Sequence, residues 1–158
     1  MRALIASILI ASTAFLAGCA GTSATVQSDY RLAQGERLSL QLSAPTASEE
    51  GMAILRERLT TQLSSSGLLA DSADASAKIV EVTITNYRMR HGAARALVGI
   101  MAGADNIQSI VKVKDPVTGK VFSEFNVKSK NPSAWGTSKG LIEDHADEIV
   151  ATLKNARS

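Results

Sequence analysis

The chain has 158 residues, room for one ordinary domain, and its 20% charged and 45% apolar residues fit a folded globular protein rather than a disordered one. A formal charge of +2 is too small for a dedicated polyanion binder. Aromatic residues at 4% are too few for base-stacking platforms or aromatic sugar-binding surfaces, so no nucleic-acid partner is expected.

Met1-Arg2 places a positive charge ahead of Ala3–Leu16, 14 uncharged and mostly apolar residues. As a helix this stretch would reach roughly 21 Å, short of the roughly 30 Å hydrocarbon core of a bilayer. With small residues after it, it reads as a secretory signal peptide over residues 1–18. Leu16-Ala17-Gly18-Cys19 holds the single cysteine of the chain and resembles the bacterial lipobox. The resemblance implies a diacylglycerol thioether on the Cys19 sulfur, cleavage after Gly18, and a fatty acyl group such as palmitate on the new amino terminus. A thiol suits this chemistry because its thiolate is the nucleophile. Each buried methylene of such chains contributes about 0.8 kcal/mol, enough in sum for persistent membrane attachment. Ala20, where an aspartate would imply inner-membrane retention, implies passage to the outer membrane in the sorting system this motif resembles. With one cysteine no intrachain disulfide can form, so the domain depends on its core.

Residues 19–35 are small and polar without an apolar period, and read as a lipidated N-terminus and flexible tether ahead of a domain at 36–156. Arg37–Leu42 alternates, with Leu38, Leu40 and Leu42 on one face of a half-buried strand. Thr46 with Glu49 makes a capping-box pattern for a helix whose Met52, Leu55, Leu59 and Leu63 recur at helical spacing, and Gly67 suits its left-handed end. Ile79–Met89 is rich in β-branched residues, with Val80, Val82 and Ile84 facing a core.

His91–Asn106 is less regular. Ala93–Ala104 is apolar apart from Arg95, and Gly99 and Gly103 share one helical face, allowing close backbone approach. This stretch is either a short crossover tucked against the sheet or a contact segment, with Arg95, Gly99 and Gly103, facing lipid or a neighbouring subunit. As a helix it is too short to span a bilayer.

Asn106–Lys128 reads as a hairpin around "DPVTG", with Pro116 in a type I turn and Gly119 at a left-handed bulge position. Pairing Val113 with Val121 sets Val111 opposite Ser123, Ser109 opposite Phe125 and Ile107 opposite Val127 on an apolar face, with Lys112 opposite Phe122 and Lys114 opposite Lys120 on the other. A final helix over about Ser138–Lys154 buries Leu141, Ile142, Ala146, Ile149, Val150 and Leu153. The order β-α-β-(short segment)-β-β-α after the signal peptide predicts an α/β fold, a two-layer sandwich on a mixed β-sheet.

Arg95, Gly99, Gly103 and "VKVKDPVTGKVFSEFNV" (Val111–Val127) resemble a family of bacterial lipoproteins known mainly as a domain of unknown function, over roughly Leu38–Leu153. The strand, glycine-rich segment and hairpin are also distantly similar to the periplasmic domain of the curli secretion channel lipoproteins. That likeness implies at most a related periplasmic scaffold, because this chain lacks a further set of alternating strands of roughly ten residues for a barrel.

No catalytic constellation or cofactor site is read. His145 and Glu148 lie one helical turn apart with Asp144 and Asp147 nearby, but a solvated acidic helix face explains them better than a metal site, and His91 is far off in sequence. Ser64–Ser66 lie in no nucleophile elbow. Lys112, Lys114 and Lys120 on one hairpin face, with Arg88, Arg90 and Arg95 close in sequence, form a possible basic surface for anionic headgroups. The lysines alternatively guard an edge against unwanted strand pairing. Trp135 is expected to cap the core or sit at an interface.

The expected role is a non-enzymatic outer-membrane lipoprotein, lipid-anchored through Cys19 and facing the periplasm, that binds an envelope protein partner or itself. The alternatives are an envelope hydrolase acting on cell-wall or lipid material, and a homo-oligomeric secretion-related scaffold.

Overall fold

Alternation of buried and half-buried residues along Asp105–Lys114 marks a strand with one face in the core, and the neighbouring strands repeat the pattern. In the computed structural model, described over residues 21–28, 30–90, 104–131 and 137–156, seven elements follow one another. They are β1 (Gly21–Val26), β2 (Leu38–Ser43), α1 (Glu49–Ser65), β3 (Lys78–Arg88), β4 (Asp105–Lys114), β5 (Val121–Asn131) and α2 (Ser138–Asn155). The five strands form one mixed sheet in the order β1-β5-β4-β3-β2, with β2 parallel to β3 and the other pairs antiparallel. The two helices pack on each other, and α2 lies over β1, β4 and β5. This is the expected two-layer α/β sandwich, with one added strand.

The added strand is β1. Residues 21–26, read as tether, pair along their whole length with β5, and Leu32 a few residues on is 1% exposed in the core. Nothing large and apolar in Gly-Thr-Ser-Ala-Thr-Val announces a strand; the free backbone groups of the β5 edge supply the pairing.

The core follows the apolar spacing closely. Leu55, Leu59 and Leu63 of α1, Val80, Val82 and Ile84 of β3, and Leu141, Ile142, Ala146, Ile149, Val150 and Leu153 of α2 are all buried. Among the described residues no helix is long and apolar enough to cross a membrane.

The cap of α1 differs from the expected capping box. Ala47 N–H donates to the Ala44 carbonyl in a preceding turn, which leaves Ser48 rather than Thr46 at the cap. Ser48 Oγ accepts from the Gly51 amide at 3.2 Å. Ser48→Ala is expected to lower stability by about 1 kcal/mol, measurable by urea denaturation. Gly51 itself is required by a close approach: a Cβ there would stand 1.9 Å from Tyr87 Oη. A bulge between Ile84 and Asn86 in β3 brings Tyr87 to the helical side, because the extra residue resets the alternation.

The β4–β5 hairpin is displaced from the expected register by two residues. Val113 faces Ser123, Val111 faces Phe125, Ser109 faces Val127 and Ile107 faces Ser129. One residue of the shift comes from the loop, in which Asp115 N–H donates to the Lys120 carbonyl and Gly119 adopts φ 70°. The other comes from a bulge between Lys114 and Val113. Beyond the bulge the even shift keeps Ser123, Phe125 and Val127 on their expected face and changes only their cross-strand partners, whereas Val121, expected on the apolar face opposite Val113, pairs with Lys114 and is 42% exposed. The hairpin also lies in the middle of the sheet, so its lysines guard no edge.

Candidate functional site

Among the described residues, three polar clusters, two of them beside cavities, concentrate the chemistry of this fold. The first cluster is buried between the layers. His145 of α2 is 0% exposed, with Nε2 2.9 Å from Ser109 Oγ on β4 and Nδ1 2.8 Å from Ser129 Oγ on β5. Thr22 Oγ1 of β1 in turn donates to Ser129 Oγ at 2.9 Å, so a chain of hydroxyls and imidazole ties four elements together. Burial pushes the His145 pKa down to about 4, so the ring is neutral at physiological pH. Both ring nitrogens are occupied and the residue is closed to solvent, so it has no access to an external substrate. This corrects the placement of His145 at the edge of a solvated acidic face. Its spacing from Leu141, Ile142 and Ile149 puts it on the apolar stripe, which is the signal that could have found it.

The second cluster stands where β3 ends and β4 begins. The Arg90 amide and Nε each donate to Asp105 Oδ1 at 2.8 Å, and Ser138 Oγ at the start of α2 donates to Asp105 Oδ2 at 3.1 Å. The side chains of Arg90 and Asp105 are 5% and 0% exposed, so this is a buried ion pair fixing the first turn of α2 to the sheet. Beside it lies a cavity of about 700 Å³ lined by Ser48, Ile54, Tyr87, Met89, Lys139 and Ile142 among others.

The third cluster holds the segment after β1. Lys78 Nζ donates to Glu36 and, at 2.5 Å, to Tyr30 Oη, and lies 4.7 Å from the centre of the Phe122 ring, which stacks on Tyr30. Burial works to raise the Glu36 carboxyl, but the donors Lys78, Ala33 N–H and Tyr30 outweigh it and leave its pKa below the ordinary value. A cavity of about 630 Å³ opens nearby, between the residues after β1 and the end of α2, with Leu32, Phe125 and Leu153 in its lining.

Of the expected site residues, Lys112, Lys114 and Lys120 are described. Lys112 lies 3.6 Å from Glu124, Lys114 lies 2.6 Å from Glu81, and Lys120 sits over the Phe122 ring. Two of the three lysine charges are thus met by carboxylates, and of the arginines expected beside them Arg90 is paired with Asp105 while Arg88 is exposed. Asp147 is likewise engaged, receiving Arg58 Nε and Nη2 at 2.7 and 2.6 Å across the two helices. Cys19, His91, Arg95, Gly99, Gly103 and Trp135 lie outside the described residues. Among the described residues no group of three or more His, Cys, Asp or Glu side chains converges as a metal site would require.

Residues 23–137 match the family model described as a domain of unknown function, DUF4410. The chain belongs to this family. The match begins inside β1, further toward the N-terminus than the expected Leu38, and ends at residue 137, just ahead of α2 and short of the expected Leu153. Among solved structures, the DUF4410 chain is similar to a PelC dodecamer from Paraburkholderia phytofirmans, at 13% identity and a TM-score of 0.62 over 87% of this chain and 99% of that one. A substituted form of the same dodecamer gives 14% identity and a TM-score of 0.55 over 82% and 96%. The lipoprotein GNA1162 from Neisseria meningitidis gives 13% identity and a TM-score of 0.45 over 76% and 99%. At these identities the likeness is one of fold. Among curated proteins, none matches the sequence.

Proposed function

We propose that this DUF4410 protein is a lipid-anchored component of the bacterial outer membrane, facing the periplasm, whose α/β domain binds an envelope partner without catalysis. The observation that carries the reading is the position of the sheet relative to the lipobox. β1 begins at Gly21, two residues past Cys19, so an acylated Cys19 holds the folded domain within about 7 Å of extended chain from its lipid. The non-catalytic part is supported by His145, whose ring nitrogens are both engaged in the core. Mass analysis of the mature protein from cell envelopes should find a diacylglyceryl group on an N-terminal Cys19; a bare thiol there overturns the reading.

A second reading, self-association, is favoured by the fold shared with the PelC dodecamer across 87% of the chain. In mild detergent the lipidated protein should then sediment as an oligomer, and Gly99→Leu should dissociate it by blocking close backbone approach. A monomeric wild-type protein ends this second reading alone.

A further inference from the structure

The face of the sheet turned away from the helices is divided in charge. Toward the hairpin loop, Glu81, Lys112 and Glu124 stand side by side across β3, β4 and β5, and Lys114 reaches Glu81 at 2.6 Å, so acids and bases compensate each other. Toward the start of β1 the pattern changes. Arg88 faces Asn106, which faces Lys130, which faces Gly21; one step along, Lys128 lies between Gln108 and Ser23. Arg88, Lys128 and Lys130 are exposed, and among the described residues none of them meets a carboxylate. Among the described residues no acidic residue shares that half of the face; Asp105 is buried with Arg90, Glu49 and Glu50 belong to the helical layer, and Asp144, Asp147 and Glu148, which approach Gly21 and Asn131, belong to α2 on the other side of the sheet.

Topology sets this half at the anchor end. β1 starts there, β3 and β5 end there, and β4 starts there. The connections that leave it, residues 91–103 and 132–136, contain no Asp or Glu in sequence. Three cations within two strand spacings and one two-residue step lie roughly 7 to 12 Å apart, close to a Debye length, so they act on a charged surface together.

We propose that the half of the open sheet face presenting Arg88, Lys128 and Lys130 is a contact surface for the anionic headgroups of the bilayer that holds the anchor. This rests on the anchored reading above for the identity of the bilayer, while the surface itself is a property of the folded domain. Basic residues near an anionic membrane each strengthen binding by about fivefold, so the three together are expected to contribute about 100-fold. The acyl chains supply depth and the cations fix the orientation in which the domain rests on the membrane.

The test uses the mature chain carrying Cys19→Ser, which has no lipid, with phosphatidylcholine vesicles made with and without phosphatidylglycerol. Sedimentation should recover the protein with the anionic vesicles only, and raising the salt should release it. The triple variant Arg88→Gln, Lys128→Gln, Lys130→Gln should bind about 100-fold more weakly. Lys114→Gln with Glu81→Gln removes one ion pair from the compensated half without changing its net charge and should change binding less than about threefold. Circular dichroism melts show whether each variant is folded. Equal binding to neutral vesicles, no binding to anionic ones, or an unchanged triple variant overturns the proposal. Because the assay is independent of acylation, its failure beside a lipidated Cys19 removes the surface alone, and its success beside a bare Cys19 thiol removes the anchor alone.

Discussion

His145→Ala is expected to lower stability by about 4 kcal/mol at neutral pH. The change removes a fully buried ring from between the helix and the sheet and leaves Ser109 Oγ and Ser129 Oγ in the core without their shared partner. The cavity adds to the lost hydrogen bonds of Ser109 and Ser129, the latter keeping Thr22 as a donor, which distinguishes this site from an exposed helical histidine, where the same change would be nearly silent. Chemical denaturation of the two proteins checks it, and a difference under about 1 kcal/mol would contradict the buried placement. Further substitution of both serines by alanine in the His145→Ala background should recover part of the loss.

The same residue fixes a pH dependence. His145 titrates at about 4 in the folded protein, against about 6.5 unfolded. Between those values the unfolded chain binds more protons, so the contribution is complete above pH 6.5 and is lost as the pH falls toward 4, by about 3 kcal/mol in total. Carboxylates with lowered pKa values, such as Glu36, add their own loss at lower pH, so the comparison that isolates His145 is the wild-type curve against His145→Gln. The two curves should converge as the pH drops.

Asp105→Ala is expected to cost about 4 kcal/mol, because it takes the carboxylate from an Arg90 side chain that is 5% exposed. It also removes the acceptor of the Ser138 hydroxyl at the first turn of α2. Replacing both members of the pair, Asp105→Leu with Arg90→Met, should be less harmful than the sum of the single changes, with a coupling of about 2 kcal/mol in a double-mutant cycle. Additive losses would mean that the two charges do not depend on each other.

The parts of the fold legible in the sequence were those governed by burial alone. The inner triplet Val80, Val82 and Ile84, the Leu55–Leu59–Leu63 stripe and the stripe of α2 stand where period and polarity place them. Gly67 and Gly119 adopt positive φ at 62° and 70°, because at both turns the local geometry needs a residue without a Cβ. What failed were features decided by a distant partner. β1 is a strand because β5 offers an edge, not because its own residues favour one. The hairpin register depends on a bulge that no apolar pattern marks, and its shift is what sets Lys112 against Glu124. Glu81 reaches Lys114 only because β3 lies beside β4. His145 was obscured by its neighbours Asp144, Asp147 and Glu148, although its spacing on α2 and the two serines on inward strand positions both pointed inside.

The pairing of β1 has a mechanical consequence. A pull applied ahead of Gly21 along the strand runs parallel to β1 and across its hydrogen bonds, so the six residue pairs with β5 are loaded in shear and share the force. A strand drawn away sideways would instead give way one pair at a time. The Thr22–Ser129 hydroxyl bond near the loaded end adds a further catch that leads into the interior through His145. Any stress that reached the fold through residues ahead of β1 would thus meet it in its most resistant geometry.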